Sequence, residues 1–152
     1  MKDKNWIIRE LTEFDLDVCV ELLITVYNSK PWDELWTKNT AKRYLQEFIH
    51  RKRSFGFVYV DKSTIVGALF GVERTFWSGD EVYVDEFYVH PQYQQKGVGK
   101  EMMMHLEQYC QKKELEAITL VTDKNVPAYH FYQKMNFNVS TANVFLYKNI
   151  PQ

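Results

Sequence analysis

The sequence has only two cysteines in 152 residues, Cys19 and Cys110. That is too few for a disulfide framework, and their spacing matches no metal-ligand pattern. A reduced compartment, and so a cytoplasmic location, is the expectation. Four histidines, His50, His90, His105 and His130, are scattered without a Cys/His ligand pattern, so no metal site is predicted. Proline is confined to Pro31, Pro91, Pro127 and Pro151, each at a candidate element border. Repeats, low-complexity stretches and Pro/Gly linkers are lacking, and the length suits one domain over residues 1–152. No apolar run approaches the roughly 18 residues of a membrane span. The opening MKDKNWIIRE has no signal-peptide core. A formal net charge of −1 gives no basic footprint for nucleic acid. The one dense basic run, His50 to Arg53, reads as a solvated helix end.

What is present is an ordinary globular balance, 45% apolar and 26% charged, with an aromatic excess of ten Tyr, ten Phe and four Trp. So many rings are expected to line a cleft as well as fill a core. Trp6–Glu10 reads as a strand, and Thr12 with Asp15 as a capping box before a helix with Phe14, Val18, Leu22 and Val26 on its stripe. After the loop 29–37, a second helix starts at Thr37 or Asn39 and carries Ala41, Tyr44, Leu45, Phe48 and Ile49 at helical spacing. Residues 57–61 and 64–74 read as a hairpin turning at Lys62 and Ser63, and 81–89 as a strand halted at His90-Pro91. A helix from Gly97 buries Val98, Met102, Leu106, Tyr109 and Cys110. Then come a strand over 117–122, a helix over 125–135 with Pro127 in its first turn, and a last strand over 143–149. The order predicts an α/β (α+β) sandwich around one sheet.

The stretch Gln94-Gln95-Lys96-Gly97-Val98-Gly99-Lys100 lies between a strand and an amphipathic helix. Free N–H groups at a helix start attract anions, aided by the helix dipole. Gly97 and Gly99 let a ligand approach the backbone, and Lys96 and Lys100 add positive charge. A pyrophosphate fits. Neither the Walker A string nor the GxGxxG fingerprint is present, since Met102 stands where a third Gly belongs. The two glycines by themselves equally suit a turn that merely starts a helix.

The string Val89-His90-Pro91-x-x-Gln94-x-x-Gly97-x-Gly99 resembles motif A of the GNAT superfamily of N-acetyltransferases. Downstream, Asn125-x-x-Ala128-x-x-Phe131-Tyr132-x-Lys134-x-Asn136-Phe137 resembles the family's N-x-x-A-x-x-[FL]-Y-x-K-x-G-F. Asn136 replaces the usual Gly just past a helix end, a position that favours φ > 0 and that Asn tolerates best after Gly. The resemblance implies a single-domain GNAT fold: a mixed, mostly antiparallel sheet with splayed middle strands and four flanking helices. It implies acetyl-coenzyme A as co-substrate and no metal. By resemblance, the backbone of Phe87, Tyr88 and Val89 pairs with the pantetheine arm, with the Val89 N–H as donor to the thioester oxygen. Gln94 to Lys100 hold the pyrophosphate. Asn125, Ala128, Phe131 and Tyr132 hold the cofactor's other side.

An amine of lysine type has a pKa of about 10 and must lose a proton before it attacks, and the departing thiolate must gain one. Tyr132, at the family's tyrosine position, is the candidate acid; on pattern alone it equally suits a core tyrosine. Glu86 is the preferred base, with Asp85 and Glu81 behind it, because neighbouring strand residues face opposite sides and at most one of Asp85 and Glu86 enters the cleft. A water chain, or a plain solvated charge, remains the alternative for each. Cys19 and Cys110 read as packed residues, so direct transfer in a ternary complex is expected.

In this family the first two helices and their loop select the acceptor. Here that loop carries Trp32, Asp33, Glu34 and Trp36, with Asp80 and Glu81 on another turn. Aromatic faces with carboxylates suit a cationic small amine, of polyamine or aminosugar type. The same tryptophans also suit simple packing of the loop. The loop looks similar to that of aminoglycoside N-acetyltransferase-like members. A protein or peptide acceptor, or a non-catalytic coenzyme A-binding module, stays open on sequence alone. A homodimer, with Phe145 and Tyr147 at its interface, is a further expectation.

Overall fold

The computed structural model describes residues 4–152. The chain divides into two compact units, one ending at Val121 and the other starting at Thr122. The first unit holds one five-stranded sheet in the order β1 (Trp6–Glu10), β2 (Ser54–Asp61), β3 (Thr64–Arg74), β4 (Glu81–Val89), β5 (Ala117–Thr119). Neighbours pair antiparallel from β1 to β4, and β5 joins β4 in parallel. Also in this unit are α1 (Leu16–Tyr27), α2 (Lys38–Ile49) and α3 (Val98–Lys112). The second unit holds α4 (Pro127–Lys134).

Lys62 and Ser63 take φ values of 47° and 76°, the left-handed pair that a two-residue hairpin turn requires. Thr37 caps α2, its hydroxyl accepting from the Thr40 N–H at 3.1 Å. The expected capping box forms: the Thr12 N–H donates to Asp15 at 2.8 Å, and Arg9 closes on the same carboxylate at 2.8 and 2.9 Å. The Arg9 bonds hold the Asp15 carboxyl below its ordinary range, although burial opposes them.

One face of the sheet carries a core of Leu16, Cys19, Leu23 and Val26 from α1 and Ala41 and Leu45 from α2, against Val58, Ala68, Phe70 and Tyr88. On the other, α3 comes close to Gly67, where a Cβ would meet the Met102 sulfur at 2.7 Å and Val98 at 3.5 Å. A side chain at Gly67 would have to displace the Met102 side chain.

Three expectations are corrected. The stripe of α1 is Leu16, Cys19, Val20, Leu22, Leu23 and Val26, so the predicted Leu22 and Val26 are buried, while Phe14 is 88% exposed and Val18 48%. A row built from steps of four slides about 40° around a helix at each step, so it leaves the buried face; the observed stripe mixes steps of three and four. β5 stops at Thr119, three residues before the predicted end. Residues 143–149 form no strand, and Val144, Phe145, Leu146 and Tyr147 are exposed. A strand needs a ladder and a covered face, and this apolar run has neither among the described residues.

In the second unit α4 ends in a Schellman motif. The Phe137 N–H reaches the Tyr132 carbonyl at 3.0 Å and the Asn136 N–H reaches Gln133 at 3.1 Å. Asn136 sits at φ 65°, and the Phe137 ring packs edge-on to Tyr132 at 5.3 Å. The departure from the family glycine is thus accommodated without loss of the turn. Asn136→Gly is expected to be at least as stable as the parent. Asn136→Val, which resists positive φ, should lose about 1–2 kcal/mol in denaturant titrations that follow this segment.

Candidate active site

β4 is bulged. Phe70 of β3 faces Glu86 and the next residue, Gly71, faces Val84, so Asp85 is the extra residue. A bulge shifts the alternation of side chains by one. Tyr88 accordingly joins the core on the α1 and α2 side, its hydroxyl donating to the Cys19 carbonyl at 2.8 Å, while Val82 and Val84 are buried outside that cluster. Glu86 shares the Tyr88 face and reaches the same two helices.

Two phenols meet its carboxylate. The Tyr27 hydroxyl, at the end of α1, donates to Oε2 at 2.8 Å, and the Tyr44 hydroxyl of α2 donates to Oε1. Burial raises the Glu86 carboxyl above the ordinary glutamate value, the Tyr44 and Tyr27 hydrogen bonds oppose it, and the charges of Glu34 and Asp85 add to the rise. Burial, with Glu86 beside it, pushes the Tyr44 phenol far above its usual value.

Asp85 is placed differently. Its largely enclosed carboxylate is paired with Arg51, which also lies 5.0 Å over the Phe48 ring. With the bulge at this point, Asp85 meets Arg51 just past α2, while Glu86 meets Tyr27 and Tyr44.

The loop between α1 and α2 wraps beside Glu86. Lys30–Pro31 is a cis peptide. Trp32 meets Tyr27 edge-on at 5.2 Å, and Trp36 stacks on Tyr44 at 4.8 Å. The Trp36 backbone is gripped by Asn28 at both its N–H and its carbonyl, 2.9 Å each, and the Trp36 indole donates to Glu34. Asp33 is exposed at φ 48° and Glu34 is exposed. Trp32, Glu34 and Trp36 thus come together with Glu86. Asp80 and Glu81 do not. They lie at the far end of β4, bonded to Arg53 at 2.6 Å and Arg74 at 3.2 Å. Five strand residues, about 17 Å, separate Glu81 from Glu86.

The glycine-bearing stretch follows β4. Gly97 caps α3 at φ 87°, and a Cβ built there would touch nothing within 4 Å, so open space faces this backbone. The first N–H groups of α3, Val98 to Lys100, have no carbonyl one turn back within the helix. Gln95 also takes positive φ, at 59°, and Gln94 anchors the turn by donating from its amide to the Val89 carbonyl at 2.9 Å. The His90 N–H bonds Val66 on β3 at 2.8 Å, so by strand alternation the Val89 N–H faces away from β3. On that side the β4–β5 ladder ends at Tyr83 and Thr119, and β4 runs on beyond it to Val89. β4 therefore has an unpaired edge beyond Tyr83, as the expected splay requires. Left-handed glycine, open approach and helix-start N–H groups fit an anionic diphosphate.

In the second unit Tyr132 is buried, with Phe131 and Phe137 rings at 5.3 Å. The Asn125 N–H closes on the Asp123 side chain at 2.7 Å just ahead of α4. Cys19 and Cys110 are both buried; burial pushes their thiols up to about 12 and about 11, which leaves neither a ready nucleophile.

The model of the acetyltransferase (GNAT) family matches residues 20–137. This chain belongs to that family. Among its relatives is streptothricin acetyltransferase A of Bacillus subtilis (strain 168), 23% identical over 138 residues, spanning 85% of this chain and 78% of that protein. Among solved structures, an aminoglycoside acetyltransferase, meta-AAC0020, from an uncultured soil metagenomic sample, in complex with sisomicin, matches with a TM-score of 0.77. It is 20% identical and covers 99% of this chain and 100% of that one. AAC(6')-Iy in complex with the bisubstrate analogue CoA-S-monomethyl-acetylneamine matches with a TM-score of 0.72 at 16% identity, over 95% and 99% of the two chains. The protein is thus a GNAT acetyltransferase whose fold is shared with structures solved with aminoglycosides and with a coenzyme A adduct.

For this acetyltransferase, sequence reasoning missed Tyr27 and Tyr44. Tyr44 was read as one apolar position of the α2 stripe, and Tyr27 follows the last buried residue of α1. A tyrosine on a stripe facing a charged strand residue is the available signal, because a buried phenol hydroxyl needs a polar partner.

Proposed function

We propose that this GNAT acetyltransferase moves an acetyl group from acetyl-coenzyme A to a primary amine of a small cationic acceptor, of aminoglycoside or polyamine type, by direct transfer. The observation that carries this reading is Glu86: a partly buried carboxylate held by two phenols and flanked by Trp32 and Trp36. Aromatic faces and carboxylates together select a cation. The acceptors in the names of the relatives support the same class. The family match crosses both compact units, which supports residues 1–152 working as one catalytic domain.

The bound co-substrate supplies an activated thioester. Gln94 to Lys100 grip its diphosphate, with Gly97 admitting close approach, and the backbone of Phe87 to Val89 aligns the pantetheine arm. The Val89 N–H stabilises charge on the thioester oxygen. Glu86 removes one proton from the acceptor ammonium and passes it to solvent. The freed amine forms the C–N bond as the C–S bond breaks, and Asp85, held by Arg51, stays out of the transfer. Tyr132 gives the departing sulfur its proton and is reprotonated from the amide nitrogen's second proton. That role, like those of Asn125, Ala128 and Phe131 toward the cofactor, rests on motif position alone. The exposed run 144–147 supports association of two copies, and sedimentation would show it.

The deciding experiment is an acceptor screen with acetyl-coenzyme A, read by mass spectrometry, across aminoglycosides, polyamines and peptides. Acetylated cationic small amines are expected. Modification of peptides alone would replace the acceptor class. No heat with any coenzyme A derivative in calorimetry would end the reading.

A further inference from the structure

Glu86 and Asp85 are neighbours with opposite arrangements. Asp85 has a cation, Arg51. Among the described residues no salt bridge reaches Glu86; it has two neutral donors instead, one on each oxygen. We propose that Tyr27 and Tyr44 are positioning residues for Glu86, holding its carboxylate in one orientation from two helices and leaving the remaining lone pair of each oxygen to the ammonium of the acceptor. This deepens the reading above and rests on it for the identity of the cation.

Four points carry the assignment. An ionised carboxylate only accepts, with about four lone-pair sites, so two phenols leave two sites open. The donors come from 59 and 42 residues away and from different helices, so the carboxylate is triangulated against α1, α2 and β4. The rings are themselves immobilised: Tyr27 by the edges of Trp32 at 5.2 Å and Tyr88 at 5.8 Å, Tyr44 by stacking on Trp36 at 4.8 Å and by Phe48 at 4.7 Å. Finally, among the described residues the groups acting on Glu86 supply no positive charge. Glu34 comes from the loop, Asp85 from its own strand, Tyr27 and Tyr44 from the helices, Tyr88 two positions along β4, and apolar Phe70 stands opposite on β3. The Tyr44 phenol is too weak an acid to give up its proton and so remains a donor throughout.

The test uses Tyr27→Phe, Tyr44→Phe and the double variant, which keep the rings and remove only the hydroxyls. In protein labelled at glutamate carboxyl carbon, the Glu86 resonance is assigned by its loss in Glu86→Gln and titrated by NMR. Each phenol removed should raise the Glu86 titration by about one pH unit, because a hydrogen bond to the charged form is lost. The acidic limb of kcat/KM should move by the same amount, with KM for acetyl-coenzyme A unchanged. An unmoved Glu86 titration in a folded single variant, shown by near-ultraviolet circular dichroism, overturns the positioning role; either single variant that folds suffices. A shifted titration with an unmoved kinetic limb upholds the clamp while removing Glu86 as the base, so the two failures are told apart.

Discussion

Glu86→Gln should lower kcat/KM for the acceptor amine by about 10²- to 10⁴-fold, the range a positioned general base contributes. The parent's acidic limb should vanish with it. The sign follows from the site. Only the ionised carboxylate takes a proton, and burial raises the Glu86 carboxyl above the ordinary range against the pull of two phenols. The parent's activity should therefore fall as pH drops through a value higher than that of an exposed glutamate. Glutamine keeps the shape and can still accept from one phenol, so stability should hold and the KM for acetyl-coenzyme A should stay close to the parent's. Asp85→Asn gives the contrast. Its partner is Arg51, so the main loss should appear in stability; the acidic limb should be kept, moved slightly down in pH because the Asp85 charge that helps raise Glu86 is gone. Initial rates across pH, with thermal melts alongside, check both. An E86Q profile that keeps the parent's acidic limb would take Glu86 out of the chemistry.

The second large effect is at Gly97. This residue caps α3 at φ 87° and its missing Cβ opens on empty space. Gly97→Val places a branched side chain where the diphosphate is proposed to approach, in a conformation that costs a β-branched residue about 1–3 kcal/mol. Acetyl-coenzyme A should bind at least about tenfold more weakly by calorimetry, equivalent to roughly 1.4 kcal/mol. Two causes are separable. Gly97→Asn tolerates the left-handed backbone yet still carries a side chain. Weak binding by both variants identifies blocked approach; weak binding by valine alone identifies backbone strain. Unchanged binding in folded Gly97→Val protein would remove the cradle.

Much of this architecture was legible in the chain. β3 and β4 have the predicted bounds, 64–74 and 81–89, because runs rich in β-branched and aromatic residues end at turn residues on both sides. Thr37 marked the start of α2 because a hydroxyl there satisfies a helix N–H that nothing else can. The left-handed Gly97 cap of α3 and the residues of the proposed cradle were visible because glycines, lysines and a helix start stand adjacent in sequence.

The local sequence by itself determined most of the elements, the two family motifs and so the acetyltransferase class, since each depends on residues within a turn or two of one another. Only the tertiary structure decided which carboxylate faces the loop between α1 and α2. One extra residue at Asp85 rotates the rest of β4, and the hydroxyls of Tyr27 and Tyr44 then meet Glu86 from elements 59 and 42 residues away. The end of β5 at Thr119 and the missing last strand belong to the same category. Pairing depends on the neighbouring chain that is there to be paired with, and a residue's own propensity cannot report that.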